Sequence, residues 1–247
     1  MSRGQSPRLR GELLRTYRAG QSAGASGSVY RDIRAFWPQY EANYSELFDD
    51  LERSARIVDI GSGPGSLVAW LRDKGFVTVE GVDLSPGDVE HAARDLGPGV
   101  VHLGDGRRHL LAHPGEYEVV VMKALLEHRP KDELLPMLDA AGASLRPGGR
   151  LIVEVPNMDW ILASHERYMD LTHEVGFTRN SLNAVLSVVF SEVAIQGSRL
   201  PNPTRLQRWL RPAIVRLVRG TLYILGEGAS ETMFEHRSLI AVARAPR

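Results

Sequence analysis

The sequence predicts an α/β fold, with one mostly parallel sheet covered by helices on both faces. Three observations carry that reading. From residue 55 onward, apolar runs of strand length alternate with amphipathic helical segments. Glycine turns or helix-capping residues separate them. Asp59, Asp83 and Asp105 stand at the tips of three successive strands. Strands are expected at 56–60, 77–82, 100–103, 117–122, 151–155, 189–195 and 238–243, with helices at 66–74, 86–96, 132–144 and 181–188. Ser85-Pro86 followed by Asp88 is a good helix start, because serine can cap and proline suits the first helical position.

Elements outside that rhythm set the domain organisation. Residues 1–29 carry five arginines and then a small-residue stretch without core formers, which predicts a flexible arm. Residues 30–54 have Phe36, Tyr40, Tyr44 and Leu47 at helical spacing, with Pro38 starting a second helical piece, and read as a cap on the 55–247 domain. Two stretches interrupt the later alternation: a polar and aromatic loop at 156–180, and a helical insertion at 199–232 between the last two strands. Such additions are where acceptor selection is usually built.

The composition narrows the function. A chain of 247 residues, 43% hydrophobic and 24% charged, has the balance of one sizeable globular domain. Thirty basic residues against thirty acidic ones argue against nucleic-acid binding. The absence of cysteine excludes disulfides, thiol nucleophiles and cysteine metal sites. The first residues lack a signal core, and no apolar run approaches a membrane span, so a cytoplasmic protein without integral membrane association is expected.

The run Val58-Asp-Ile-Gly-Ser-Gly-Pro-Gly65 carries the chemistry. Alternating glycines at 61, 63 and 65 let a ligand approach the backbone. A dinucleotide site would place its third glycine one residue later. A carboxylate two residues before the first glycine repels a pyrophosphate but can engage an ammonium group. The ligand therefore reads as a nucleoside carrying an amino acid. Asp83, 22 residues after Gly61, suits ribose hydroxyls, and Asp105 could receive an adenine amino group.

With Gly81-Val-Asp-Leu-Ser85, Gly104-Asp-Gly106, Leu125-Leu-Glu-His128 and Leu145-Arg-Pro-Gly-Gly-Arg-Leu-Ile-Val-Glu-Val-Pro156 following in order, the chain resembles the class I S-adenosylmethionine-dependent methyltransferases over residues 55–195. The resemblance implies a Rossmann-like, seven-stranded methyltransferase sheet. It implies S-adenosyl-L-methionine as cofactor, contacting Asp59, Gly61, Ser62, Gly63, Gly65, Asp83, Leu84, Asp105, Gly106 and Lys123. A catalytically silent cofactor-binding module and an oxidoreductase are the competing readings from other classes.

A hydroxyl acceptor needs a base or a metal, whereas a phenol or amine needs little beyond alignment. Glu127-His128 follows the fourth strand, where the methyl group emerges. Glu127, His128 and His173, with Asp170, could bind Mg²⁺ or Mn²⁺, or a histidine could act alone as base. Related methyltransferases with a Glu-x-x-Glu-His segment bind a divalent metal; the first glutamate of that pattern is Ala124 here. His91, His102, His109, His113 and His236 read as structural.

Asp170-Leu-Thr-His-Glu174 with Phe177-Thr resembles glycan-tailoring enzymes such as mycobacterial methylmannose-polysaccharide methyltransferases, which implies a small sugar or oligosaccharide acceptor. Tyr30, Trp37, Tyr40, Tyr44, Trp160 and Tyr168 could stack on sugars, although their helical spacing also fits a core. A natural-product enzyme methylating an aminosugar or polyketide without metal is the alternative. The arginine-bearing helix at 205–219 reads as a lid for an anionic acceptor or a homodimer contact. Pro212 and Gly220 weigh against a third reading, an anionic-lipid surface.

Overall fold

A computed structural model describes residues 32–201, 203–226 and 236–244. The 1–29 arm, Tyr30 and the end of the 199–232 insertion from 227 onward lie outside the described residues. Seven strands form one sheet in the order β3-β2-β1-β4-β5-β7-β6. They are β1 (Arg56–Ile60), β2 (Thr78–Asp83), β3 (Val101–Leu103), β4 (Tyr117–Lys123), β5 (Leu145–Pro156), β6 (Glu192–Gly197) and β7 (Ser238–Arg244). β7 alone runs antiparallel, paired with β5 on one side and β6 on the other. The helices are α1 (Trp37–Tyr44), α2 (Ser66–Asp73), α3 (Pro86–Leu96), α4 (Gly106–Ala112), α5 (Lys131–Ser144), α6 (Ala163–Tyr168), α7 (Arg179–Leu186) and α8 (Arg205–Ile224).

Two apolar clusters, one on each face, hold the sheet. One gathers Val58, Val120, Leu138, Leu151 and Leu186 under α5 and α7; the other gathers Ile57, Val119 and Ile152 with Leu67 and Trp70 of α2. The central strands read as nearly continuous apolar runs because both of their faces are buried. The cap belongs to the second cluster: Tyr40 and Phe48 meet Trp70 edge-on with ring centroids 6.0 and 6.2 Å apart. Tyr40 and Tyr44 are core residues, so the stacking role expected of them toward a sugar is withdrawn. Pro38 does sit at the start of α1.

The sequence reading missed α4 and α6. Gly106-Arg-Arg-His at the head of α4 masks the helical period, and α6 has six residues, too few to show one. β5 begins at Leu145 rather than residue 151, because Pro147-Gly-Gly149 bulges within the strand and shifts the register against Tyr117 and Val119. Pro212 and Gly220 lie inside an unbroken α8, whose start is fixed by a reciprocal Thr204–Gln207 capping box.

Candidate active site

The site lies where the parallel strands end, the usual ligand position in an open α/β sheet. Gly65 caps α2 in the left-handed region at φ 81°, and a Cβ there would come within 2.7 Å of Leu96 Cδ1 and 3.2 Å of Val101 Cγ2. Gly63, also left-handed at φ 54°, has nothing within 4 Å of where its Cβ would stand. One glycine is demanded by packing and the other leaves open space beside the turn. Ser62 lies between Gly61 and Gly63 with its hydroxyl oxygen buried, and its N–H donates to the Val82 carbonyl at 3.2 Å.

Asp59 is buried at the end of β1, and its Oδ1 has no hydrogen-bond partner among the described residues. Burial pushes its carboxyl up to about 7; Lys123 pulls it down and Asp83 pushes it further up. Asp83 accepts N–H bonds from Gly63 (2.7 Å) and Ser85 (2.8 Å), which ties the glycine turn to the tip of β2. Each carboxylate oxygen keeps a second lone pair with which it could accept a ligand hydroxyl. Leu84 beside it is exposed.

Asp105 has a structural task that the sequence reading did not assign: its Oδ1 caps α4 by accepting from the Arg108 N–H at 2.9 Å. Gly106 is explained by packing, since a Cβ there would stand 2.3 Å from Ile60 Cγ2. Lys123 closes β4 opposite Glu154 of β5. Desolvation disfavours its charge, but Tyr40, Glu154, Asp59 and Glu127 outweigh that and raise its pKa. Glu154 is a buried residue the sequence reading missed; the Tyr44 hydroxyl donates to it, and a lone acid in an apolar strand was the available signal.

On the acceptor side the fold brings distant residues together. Glu127 and His128 form a one-turn helix after β4, and the Glu127 carbonyl accepts from Glu174 N–H (2.7 Å) and Val175 N–H (3.1 Å), pinning the 156–180 loop beneath it. Arg167 holds the His173 and Glu174 carbonyls from the other side. The His128 and His173 rings then meet at 4.8 Å, and ligand atoms of Glu127, His128 and His173 all lie within 4.8 Å of one another.

Proton accounting fixes the tautomers. His173 Nδ1 lies 2.8 Å from the Glu166 carbonyl, which can only accept, so Nδ1 carries the proton. Thr172 Oγ1 donates to Asp170 Oδ1 at 2.7 Å, so it accepts from His128 Nδ1 at 2.8 Å. Both rings therefore carry the lone pair on Nε2. Asp170 is not in the donor cluster; its Oδ1 accepts from the Thr172 N–H and hydroxyl, which places it behind His128 through Thr172. Glu127 is buried, its Oε2 has no hydrogen-bond partner among the described residues, and burial pushes its carboxyl up to about 8. A backbone hydrogen bond and Lys123 oppose that shift, while Glu154 and Asp170 add to it.

This fold recurs in solved methyltransferases. An S-adenosylmethionine-dependent methyltransferase from Archaeoglobus fulgidus superposes with a TM-score of 0.63 at 17% identity, covering 92% of this chain and 99% of that one. The Burkholderia thailandensis 1,6-didemethyltoxoflavin-N1-methyltransferase, solved with its acceptor and S-adenosylhomocysteine, gives 0.62 at 20% identity, covering 100% of this chain and 93% of that one. The fold is that of the class I S-adenosylmethionine-dependent methyltransferases. Residues 31–213 match the family model described as a methyltransferase domain, and the chain belongs to that family. Among curated proteins, the ubiquinone biosynthesis O-methyltransferase of Sodalis glossinidius is 29% identical over 140 residues. That match covers 52% of this chain and 55% of the relative, so the chain spans little more than half of that protein's length.

Proposed function

We propose that the protein methylates a hydroxyl group, with Glu127, His128 and His173 holding a divalent cation at the acceptor oxygen. The observation that carries this reading is the buried Glu127 carboxylate beside two imidazoles whose Nδ1 protons are already committed. One carboxylate and two Nε2 lone pairs make a chelating set, and two nitrogen donors favour Mn²⁺ over Mg²⁺. The bound groups would supply a sulfonium methyl and a cation that acidifies an adjacent hydroxyl.

The chain's own residues do the rest. Asp59 receives the ammonium of the methyl donor, with Gly61, Gly63 and Gly65 giving backbone access, Asp83 the ribose and Asp105 the adenine. Lys123 keeps the buried acids compatible with one another. With both Nε2 lone pairs committed to the cation, the acidified hydroxyl would give its proton to solvent, and the oxygen–carbon bond forms as the carbon–sulfur bond breaks. Alignment in this walled site supplies much of the acceleration.

For the acceptor, the exposed apolar side chains of the 156–180 loop (Ile161, Leu162, Met169, Leu171) support a hydroxyl compound with an apolar body. A sugar hydroxyl is the second reading, favoured by exposed Tyr168 in the same loop and by the Asp170-Leu-Thr-His-Glu174 motif. The test is transfer of a labelled methyl group to catechols, alkyl phenols and glycosides, after complete demetallation and after Mn²⁺ is restored. Transfer that disappears with the metal and returns with Mn²⁺ is expected. Full turnover without metal would remove the cation and leave a histidine base; donor binding with no transfer to any hydroxyl would overturn O-methylation.

A further inference from the structure

α8 is not absorbed by the methyl-transfer chemistry. None of its residues is buried, and Trp209 (86% exposed), Leu217 (71%) and Leu206 (66%) face solvent. At 3.6 residues per turn, Leu206, Trp209, Leu210, Ile214 and Leu217 fall within about half of the helix circumference. The half-buried positions Val215, Val218, Arg219 and Leu222 lie on the opposite side. The apolar stripe is thus turned away from what the helix touches, the reverse of a helix packed on its own core.

Its charge is equally one-sided. Residues 205–224 contain five arginines and no aspartate or glutamate, in a chain whose net charge is zero. Arg205 and Arg216 border the apolar stripe on its Trp209 side. An apolar face with tryptophan, bordered by arginines, matches a helix lying in the plane of an anionic lipid surface. A second copy of the chain fits less well, since stripe-to-stripe contact would gather the arginines of both copies without an acid on either helix to pair them. Among the described residues, no helix is long and apolar enough to cross a membrane, so a contact of α8 with a bilayer would run along its surface.

Topology orients the rest. β6 ends at Gly197 opposite Leu239, and β7 begins at Ser238 opposite Pro156, so both strand ends that flank the insertion lie at the end of the sheet that carries the site. The 156–180 loop with its exposed apolar side chains leaves β5 at that same end. We propose that α8 docks the enzyme on an anionic membrane surface with its acceptor site toward the bilayer. This deepens the apolar-acceptor reading above, but the docking itself rests on α8 alone.

The test is co-sedimentation of the full chain with phosphatidylcholine vesicles and with vesicles containing about 30% phosphatidylglycerol, with no acceptor present. Binding to the anionic vesicles, weakened by salt and weak on neutral ones, is expected. Leu210→Glu with Leu217→Glu should abolish it, and each of Arg205→Gln and Arg216→Gln should lower partitioning about fivefold. Circular dichroism and S-adenosylmethionine binding should stay unchanged in these variants, because α8 is peripheral to the fold. Absence of binding, equal binding to both vesicles, or full binding by the leucine variant would overturn the proposal. So would a dimer that the leucine variant dissociates without any vesicle binding, which would assign the stripe to a second copy. Since no turnover is read, failure here leaves the O-methylation reading standing.

Discussion

The two halves of the cleft are built differently. On the cofactor side, β1, the glycine turn, α2 and the tip of β2 are contiguous or adjacent in the sheet, and the main chain itself forms the wall. On the acceptor side, Glu127 and His128 meet His173 only because a loop folds back beneath them, held by the Glu127 carbonyl and by Arg167. The first half is specified locally and tolerates little change. The second is assembled from distant segments, and its chemistry depends on how that loop is fixed.

The largest expected effect lies on the assembled side. His173→Ala should lower kcat by about 10²–10⁴-fold, the range for losing a positioned acid–base or metal-holding group, with S-adenosylmethionine affinity unchanged. A variant with normal kcat would erase the distinction between the halves. On the local side, Asp59→Asn should weaken the cofactor by roughly 2–3 kcal/mol, as for loss of a charged hydrogen-bond partner, read by calorimetry.

Asp59 also gives a pH prediction. Its folded pKa, about 7, lies above the ordinary carboxylate value, so its neutral form is the one the fold prefers. The resulting stability is fully present below about pH 4 and is lost as pH rises through 7. Thermal melts of the ligand-free protein between pH 4 and 8 should show that loss, and Asp59→Asn should flatten it. An ammonium-bearing ligand prefers the ionised form, so cofactor binding should release a proton below pH 7.

Smaller effects probe the turns. Gly65→Ala combines a left-handed backbone with the Leu96 contact and should cost about 1–3 kcal/mol in urea melts. Ala124 is left-handed at φ 50° where β4 ends, so Ala124→Gly should stabilise by a few tenths to 1 kcal/mol.

The same contrast explains what could be read from the sequence. Apolar runs and capping residues located all seven strands to within a few residues, except for the bulged start of β5. The glycine turn was legible because its residues are contiguous, and Asp59, Asp83 and Asp105 because each lies at the end of one of three neighbouring strands. Asp105 was read only as a ligand contact because α4 behind it went unseen. Glu127, His128 and His173 were grouped by residue type, and the fold does gather them. Asp170 was grouped with them too, but whether it points at the cluster or at Thr172 depends on loop geometry that no periodicity encodes. Tyr40 and Tyr44 illustrate the same limit: helical spacing names a face and leaves open what the face meets. α8 was legible as amphipathic, but not the fact that its apolar stripe points outward.

The most direct test of the acceptor-side account is calorimetric titration of Mn²⁺ into the demetallated protein, beside Glu127→Gln and His173→Ala. The account predicts one saturable site per chain, weakened at least tenfold in each variant, with cofactor binding intact. An absence of binding, or binding equally strong in both variants, would contradict it.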